Sequence, residues 1–370
     1  MDTWSRLLQP SEFLSPSLVV DRGLVEKNLR TMIAMAGDPN RLRPHVKTHK
    51  MPAIVALEAT LGIKKHKVAT IAEAEMVARA GGTDIVLAYP IVGPNIARLA
   101  KLVAQFPETT FRTIVDDAGA ATALSEGLGD LGRKVPALVD LDVGMGRTGI
   151  EPGGRAVELY ALLERLPNLT PDGLSAYDGH IHDSDLDERR ESARAGIEKT
   201  LGLRDRLIRL GLPVPRLVMG GTPTFPIHAA LDEPGVECSP GTTVLHDQSY
   251  VSRYPDLKFE PAAALLTRVI SRPRPGRLCL DLGHKAVAAD PVGARVRIFG
   301  VPEPTLGGQS EEHLVVDTPA AADFPPGTSL VGFPMHICPT VALHRWAYVF
   351  DRGELVDRWE VGARDRVLTI

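Results

Sequence analysis

Between about residue 17 and residue 240, short segments rich in valine, isoleucine and leucine alternate with longer stretches of helical period. That alternation limits the fold more than any other feature, because parallel strands need a crossover helix to return the chain. The strand-like segments fall at 41–46, 66–70, 84–88, 111–115, 137–142, 173–177, 216–219 and 236–239. Eight such units predict a closed (β/α)8 barrel. The segments between them read as its outer helices. Pro152 suits a first helical position, and Ala156, Leu159, Tyr160 and Leu163 follow as one apolar stripe. A second helix is expected over 188–210, with Ile197, Leu201 and Ile208 as its apolar positions.

After about Gly241 the texture changes. Proline and glycine rise, as in Ser271-Arg272-Pro273-Arg274-Pro275-Gly276, and the apolar runs shorten to 278–282, 294–299, 313–316 and 346–350. Short strands with turn signals predict a β domain. The expected division is a barrel over residues 1–240 and a mainly β domain over 241–370, with about the first 15 residues joining the latter.

Composition excludes several classes of function. The chain is 44% hydrophobic and 24% charged, which is globular, and its net charge of -4 leaves no basic excess for nucleic acid. No apolar run reaches membrane-spanning length, and no basic region followed by an apolar run marks a secretory signal. Cys238, Cys279 and Cys338 are too few and too scattered for a disulfide framework. A cytoplasmic protein without nucleic-acid or membrane partners is expected.

The stretch Arg41-Leu42-Arg43-Pro44-His45-Val46-Lys47-Thr48-His49-Lys50 is the first candidate site. At strand period Leu42, Pro44 and Val46 share one face and Arg41, Arg43, His45 and Lys47 the other. Buried charge needs a partner, so this face suits an anionic ligand; a solvated basic edge strand is the plainer reading. Active sites of βα barrels lie at the C-terminal strand ends, which singles out Lys47. Arg43 and His45 are neighbours able to depress its pKa. After the seventh and eighth strands come Gly220-Gly221-Thr222-Pro223-Thr224 and Ser239-Pro240-Gly241-Thr242. Barrels commonly seat a phosphate on these two loops, so Gly221, Thr222, Gly241 and Thr242 are candidate phosphate-binding residues.

Pro44-His45-Val46-Lys47-Thr48-His49-Lys50 resembles the cofactor-lysine segment of the D-threonine aldolase and D-serine dehydratase family, pyridoxal phosphate enzymes of alanine-racemase fold. The resemblance extends over almost the whole chain. It implies that Lys47 carries the cofactor, with Lys50 as the rival by residue type only. It also implies that Arg147, in Asp142-Val143-Gly144-Met145-Gly146-Arg147-Thr148-Gly149, lies beside the cofactor phenolate. Tyr177 and His180, in Tyr177-Asp178-Gly179-His180, resemble a cofactor-pocket element of the family. Lys47, His45 and Arg147 are the candidate catalytic residues. A dimer is implied by the same resemblance.

In Pro334-Met335-His336-Ile337-Cys338-Pro339-Thr340, an extended strand would point His336 and Cys338 the same way, so both could bind one metal ion. A thiolate favours zinc over manganese or magnesium. The pair resembles the zinc site of the D-serine dehydratases. His344 and Asp317 are further candidates that the spacing does not select. Asp281-Leu282-Gly283-His284-Lys285-Ala286 receives no role, and Asp183, Ser184 and Asp185 read as a solvated loop.

The implied activity is a pyridoxal phosphate- and metal-dependent lyase acting on a D-3-hydroxy amino acid. Cys338 points first to elimination of the D-serine dehydratase type. The alternatives are retro-aldol cleavage of the D-threonine aldolase type and an enzyme for hydroxyaspartate. Racemisation, a non-catalytic pyridoxal phosphate carrier and an unrelated sugar-phosphate barrel are more remote.

Overall fold

The structure is a computed structural model that describes Trp4 and residues 13–370. The chain divides into two compact units. One comprises residues 32–47, 52–241 and 365–370; of the described residues the other takes Trp4 and residues 13–31, 48–51 and 242–364. Residues 17–31 group with the β unit and residues 365–370 with the barrel unit.

The β unit opens with β1 (Ser17–Asp21). The barrel unit follows with β2 (Lys65–Val68), β3 (Asp84–Leu87), β4 (Thr110–Val115), β5 (Val135–Leu141), β6 (Leu169–Ala176), β7 (Leu217–Met219) and β8 (Val236–Cys238). These seven strands of the barrel unit pair in sequential order, all parallel. Residues 41–46 form no regular strand. They bridge β8 through Leu42 and Cys238, and β2 through His45 and Lys67, so they occupy the eighth position as two isolated bridges. Pro44 explains the irregularity: it has no N–H to donate, although its carbonyl accepts the Lys67 N–H at 2.9 Å. Arg43 and His45 donate their N–H groups to Cys238 and Pro240 at 2.9 Å each.

The outer helices follow their local chemistry. Thr70 caps Ile71–Arg79 by accepting the Glu73 N–H at 3.0 Å, and Glu73 reaches back to the Ala69 N–H at 2.6 Å. Gly154–Arg165 buries Ala156, Leu159, Tyr160 and Leu163 as its spacing requires. Leu186–Arg209 differs from expectation in its face: Ala193, Ile197, Thr200, Leu203 and Leu207 are buried, while Ile208 is exposed. Asp185 is its N-cap, accepting from Asp187 and Glu188, and not merely a solvated loop residue.

Inside the barrel, Val86, Ile114, Leu138 and Val218 form an apolar cluster. An ion network ties several strands as well. Arg43, fully buried, donates to Glu237 at 2.6 Å and to Asp84 at 2.7 Å; Arg112 joins Asp84 to Asp172, and Lys65 holds Glu237 at 2.7 Å. Arg43 therefore spends its charge here and is not the electrostatic neighbour of Lys47 that the alternation suggested.

The β unit is a nine-stranded sheet containing β1. Its other strands are β9 (Ala263–Arg274), β10 (Arg277–Leu280), β11 (Val296–Phe299), β12 (Thr305–Gln309), β13 (Leu314–Asp317), β14 (Ser329–Pro334), β15 (Trp346–Asp351) and β16 (Glu354–Glu360). Trp4, Val19, Leu266, Val331, Phe333 and Phe350 pack on one face of it. Asp281 accepts from the Thr267 hydroxyl at 2.7 Å and the Arg268 N–H at 2.8 Å. A Cβ on Gly283 would meet the Glu311 carbonyl at 2.0 Å. The Asp-Leu-Gly-His motif is thus a structural clasp.

Candidate active site

The barrel unit holds a cavity of about 370 Å³ whose walls include His45, Lys47, Lys67, Asp140, Arg147, Ser175 and Tyr177. Lys47 reaches it from the short turn Val46–Thr48, its N–H donating to His45 Nδ1 at 3.3 Å. The ring of Tyr177 organises the wall. Lys47 Nζ lies 5.8 Å from its centroid, Lys67 Nζ 5.6 Å and Arg147 Cζ 5.1 Å, within cation–π range. The spacing Tyr-x-Gly has a steric cause: a Cβ on Gly179 would stand 2.2 Å from the Tyr177 ring, and one on Gly221 3.0 Å. Tyr177 is held between two glycines.

Arg147 is presented by a loop that Asp142 folds. Its carboxylate accepts the N–H groups of Gly144 at 2.9 Å and Gly146 at 3.0 Å, and these bonds hold it below the usual carboxylate range. Gly146 sits at φ +62°, which glycine tolerates. Asp140 lies deeper, accepting from the Ser175 and Thr148 hydroxyls at 2.9 and 3.0 Å. Burial pushes its pKa up.

Gly221 and Thr222 follow β7, and Gly241 follows β8. The Gly241 N–H donates to the Thr222 hydroxyl at 3.1 Å, which joins the two loops. Behind them stands a buried relay absent from the sequence reading. The Gly221 N–H donates to Thr224 Oγ1 at 3.2 Å, Thr224 donates to Asp178 at 2.8 Å, and His228 Nε2 is 2.8 Å from the other Asp178 oxygen. Burial opposes the Asp178 charge, but His228 and Thr224 hold its pKa below the ordinary value. The structure does not bring His180 into the cavity wall. It is exposed, and its ring covers Gly144, where a Cβ would be 2.7 Å from Nε2.

Lys67, like Asp140 and Ser175, is a cavity residue the sequence reading missed. It is 4% exposed, and burial first, with Lys47 as a further cause, pushes its pKa down to about 8. Lys50 is no rival to Lys47 in this cavity: it has φ +53° and turns its Nζ to the Ala363 carbonyl at 3.4 Å.

In the β unit the pair expected as metal ligands, His336 and Cys338, is built otherwise than expected. β14 ends at Pro334, His336 is the N-cap of the helix Ile337–Leu343, and Cys338 lies in its first turn. Pro339 accounts for the switch, because proline is tolerated early in a helix and not within a strand ladder. The two side chains still meet. His336 Nδ1 is 2.5 Å from Asp290 Oδ2, and Cys338 Sγ lies 3.2 Å from the Thr48 hydroxyl and 3.7 Å from that of Thr242. Thr242, expected at a phosphate, thus faces the thiol. Burial opposes protonation of His336, but Cys338 and Asp290 push its pKa up to about 9. His344 Nε2 is paired with the Ala286 carbonyl at 2.8 Å and Asp317 with Arg277 at 2.6 Å, so neither joins the pair. Among the described residues no cluster of three or more metal-ligating side chains forms.

Residues 20–245 match the family model of the alanine racemase N-terminal domain, and residues 262–350 match a serine dehydratase domain. The chain is 32% identical over 357 residues to the D-threonine aldolase of Arthrobacter sp., covering 95% of this chain and 92% of that protein. It is 28% identical over 375 residues to the D-threo-3-hydroxyaspartate dehydratase of Delftia sp. strain HT23, covering 94% and 96%. The crystal structure of D-threonine aldolase from Filomicrobium marinum matches with a TM-score of 0.89 at 30% identity, covering 97% of each chain.

Proposed function

Since the chain belongs to the alanine racemase N-terminal domain family and is a pyridoxal phosphate-dependent lyase, we propose that it cleaves D-3-hydroxy amino acids to glycine and an aldehyde. The observation that carries this reaction type is the likeness to a D-threonine aldolase over 95% of the chain. Elimination of the D-serine dehydratase type, the first expectation, rested on Cys338, and the relatives favour the aldolase alternative over it. The thiol does not discriminate, because a Lewis acid on the substrate hydroxyl serves either reaction.

The cavity suits pyridoxal phosphate. It offers a lysine amine, a surplus of cations and an aromatic ring cradled by glycines. When bound, the cofactor supplies an electron sink for charge developing at the α-carbon. Lys47 would hold it through its amine, Arg147 at the phenolate oxygen, Tyr177 against the ring, and Gly221, Thr222 and Gly241 at the phosphate. His45 is the group assigned to take the hydroxyl proton, since an imidazole can accept and return a proton near neutral pH.

His336 and Cys338 suit a divalent metal, zinc first, with open positions for water and substrate. When bound it supplies Lewis acidity at the substrate hydroxyl.

Product analysis on D-threonine and on D-threo-3-hydroxyaspartate, with and without a chelator, tests this reading. Glycine with an aldehyde, lost on chelation, is expected. Ammonia with an oxo acid would overturn the aldolase reading in favour of the dehydratase resemblance at 28% identity.

A further inference from the structure

The cavity contains a second buried amine that the roles above leave unused. Lys67 enters the barrel from β2 at the level of His45, to which its backbone is bridged. Its Nζ faces the same Tyr177 ring as Lys47 and Arg147. Among the described residues no aspartate or glutamate lies within salt-bridge distance of that Nζ, and no hydrogen-bond acceptor takes it. Asp140 is the carboxylate of the cavity wall, and each of its oxygens already accepts a hydroxyl. Asp178 is committed to Thr224 and His228.

Three cations therefore converge on one ring against one wall carboxylate. A buried ammonium without a paired carboxylate is costly: burial depresses the Lys67 pKa, and the charges of Asp140 and Asp178 offset this only in part. An anion arriving in the cavity would remove that cost. The cofactor phosphate is assigned above to Gly221, Thr222 and Gly241, which are not among the residues lining this cavity, so on that assignment the anion sought for Lys67 is a different one.

We propose that Lys67 binds an anionic oxygen beside Tyr177, either the phenolate of the cofactor or a carboxylate of the substrate. With Arg147 it forms a two-cation clamp, a point charge beside a planar fork. The inference rests on the pyridoxal phosphate reading of the cavity.

The test compares Lys67→Met, which keeps the length and removes the charge, with Lys67→Arg, which keeps the charge. Thermal melts of both establish folding, and Lys67→Gln replaces the methionine variant if that one does not fold. Two affinities are read: pyridoxal phosphate for the apoenzyme by absorbance titration, and malonate for the holoenzyme by calorimetry. If the oxygen is the cofactor's, Lys67→Met weakens pyridoxal phosphate by about tenfold or more; if it is the substrate's, malonate weakens by about that factor while cofactor affinity holds. In either case Lys67→Arg stays within a few fold of wild type. Unchanged affinities in a folded Lys67→Met, or equal losses in both variants, would overturn the role. Wild type that binds no pyridoxal phosphate would instead overturn the cofactor reading itself.

Discussion

Replacing Arg43 by methionine should destabilise the barrel at neutral pH and lose that effect in acid. The guanidinium is fully buried and contacts Glu237 at 2.6 Å and Asp84 at 2.7 Å. Removing one partner of a buried pair leaves uncompensated charge and costs about 3–5 kcal/mol. Lys65 remains on Glu237 and Arg112 on Asp84, so the lower end, about 3 kcal/mol, applies. Burial opposes both carboxylates, but Arg43 is the strongest influence holding each below its ordinary pKa. Groups with depressed folded pKa values contribute stability that is present above the unfolded values, near 4, and is lost as pH falls through the folded ones. The deficit of Arg43→Met should therefore be full at pH 7 and shrink below about pH 4. Urea unfolding followed by circular dichroism at both pH values measures it. A loss under about 1 kcal/mol at pH 7, or a deficit that grows in acid, would refute the reasoning.

At the metal pair, Cys338→Ala should remove bound metal and activity while cofactor affinity is retained, as read by metal analysis and absorbance titration. Asp290→Asn tests the carboxylate that orients His336. Zinc affinity, measured by competition with a chelating dye, should fall about 10–100-fold, and wild-type affinity would show that Asp290 does not support the ligand.

Much of the architecture was legible because period and element length agree with burial. The strands β3 to β8 and the stripe Ala156, Leu159, Tyr160, Leu163 follow directly from apolar spacing. Five strands of the β unit, β1, β9, β12, β14 and β16, escaped notice, and for the last three the physical reason is plain. Thr305–Gln309 carries two adjacent glycines, Ser329–Pro334 ends in a proline, and Glu354–Glu360 is exposed along nearly all its length and so lacks alternation. The site was legible in its residue types more than in its geometry. Arg43 and Lys47 share a face by strand period, yet one meets carboxylates in the barrel interior and the other lines the cavity. Lys67 was hidden in Lys65-His66-Lys67-Val68, whose charges read as surface until the barrel is closed around them. The His336–Cys338 contact was expected for a strand and arises at a strand-to-helix junction, which the early proline at 339 could have signalled.

The central claim is that the barrel cavity is a pyridoxal phosphate site anchored on Lys47. The most direct measurement is borohydride reduction of the protein with bound pyridoxal phosphate, followed by peptide mass mapping. The account predicts one modified lysine, Lys47, and no covalent label in Lys47→Ala. A label on Lys67 or Lys50, or undiminished labelling of Lys47→Ala, would contradict it.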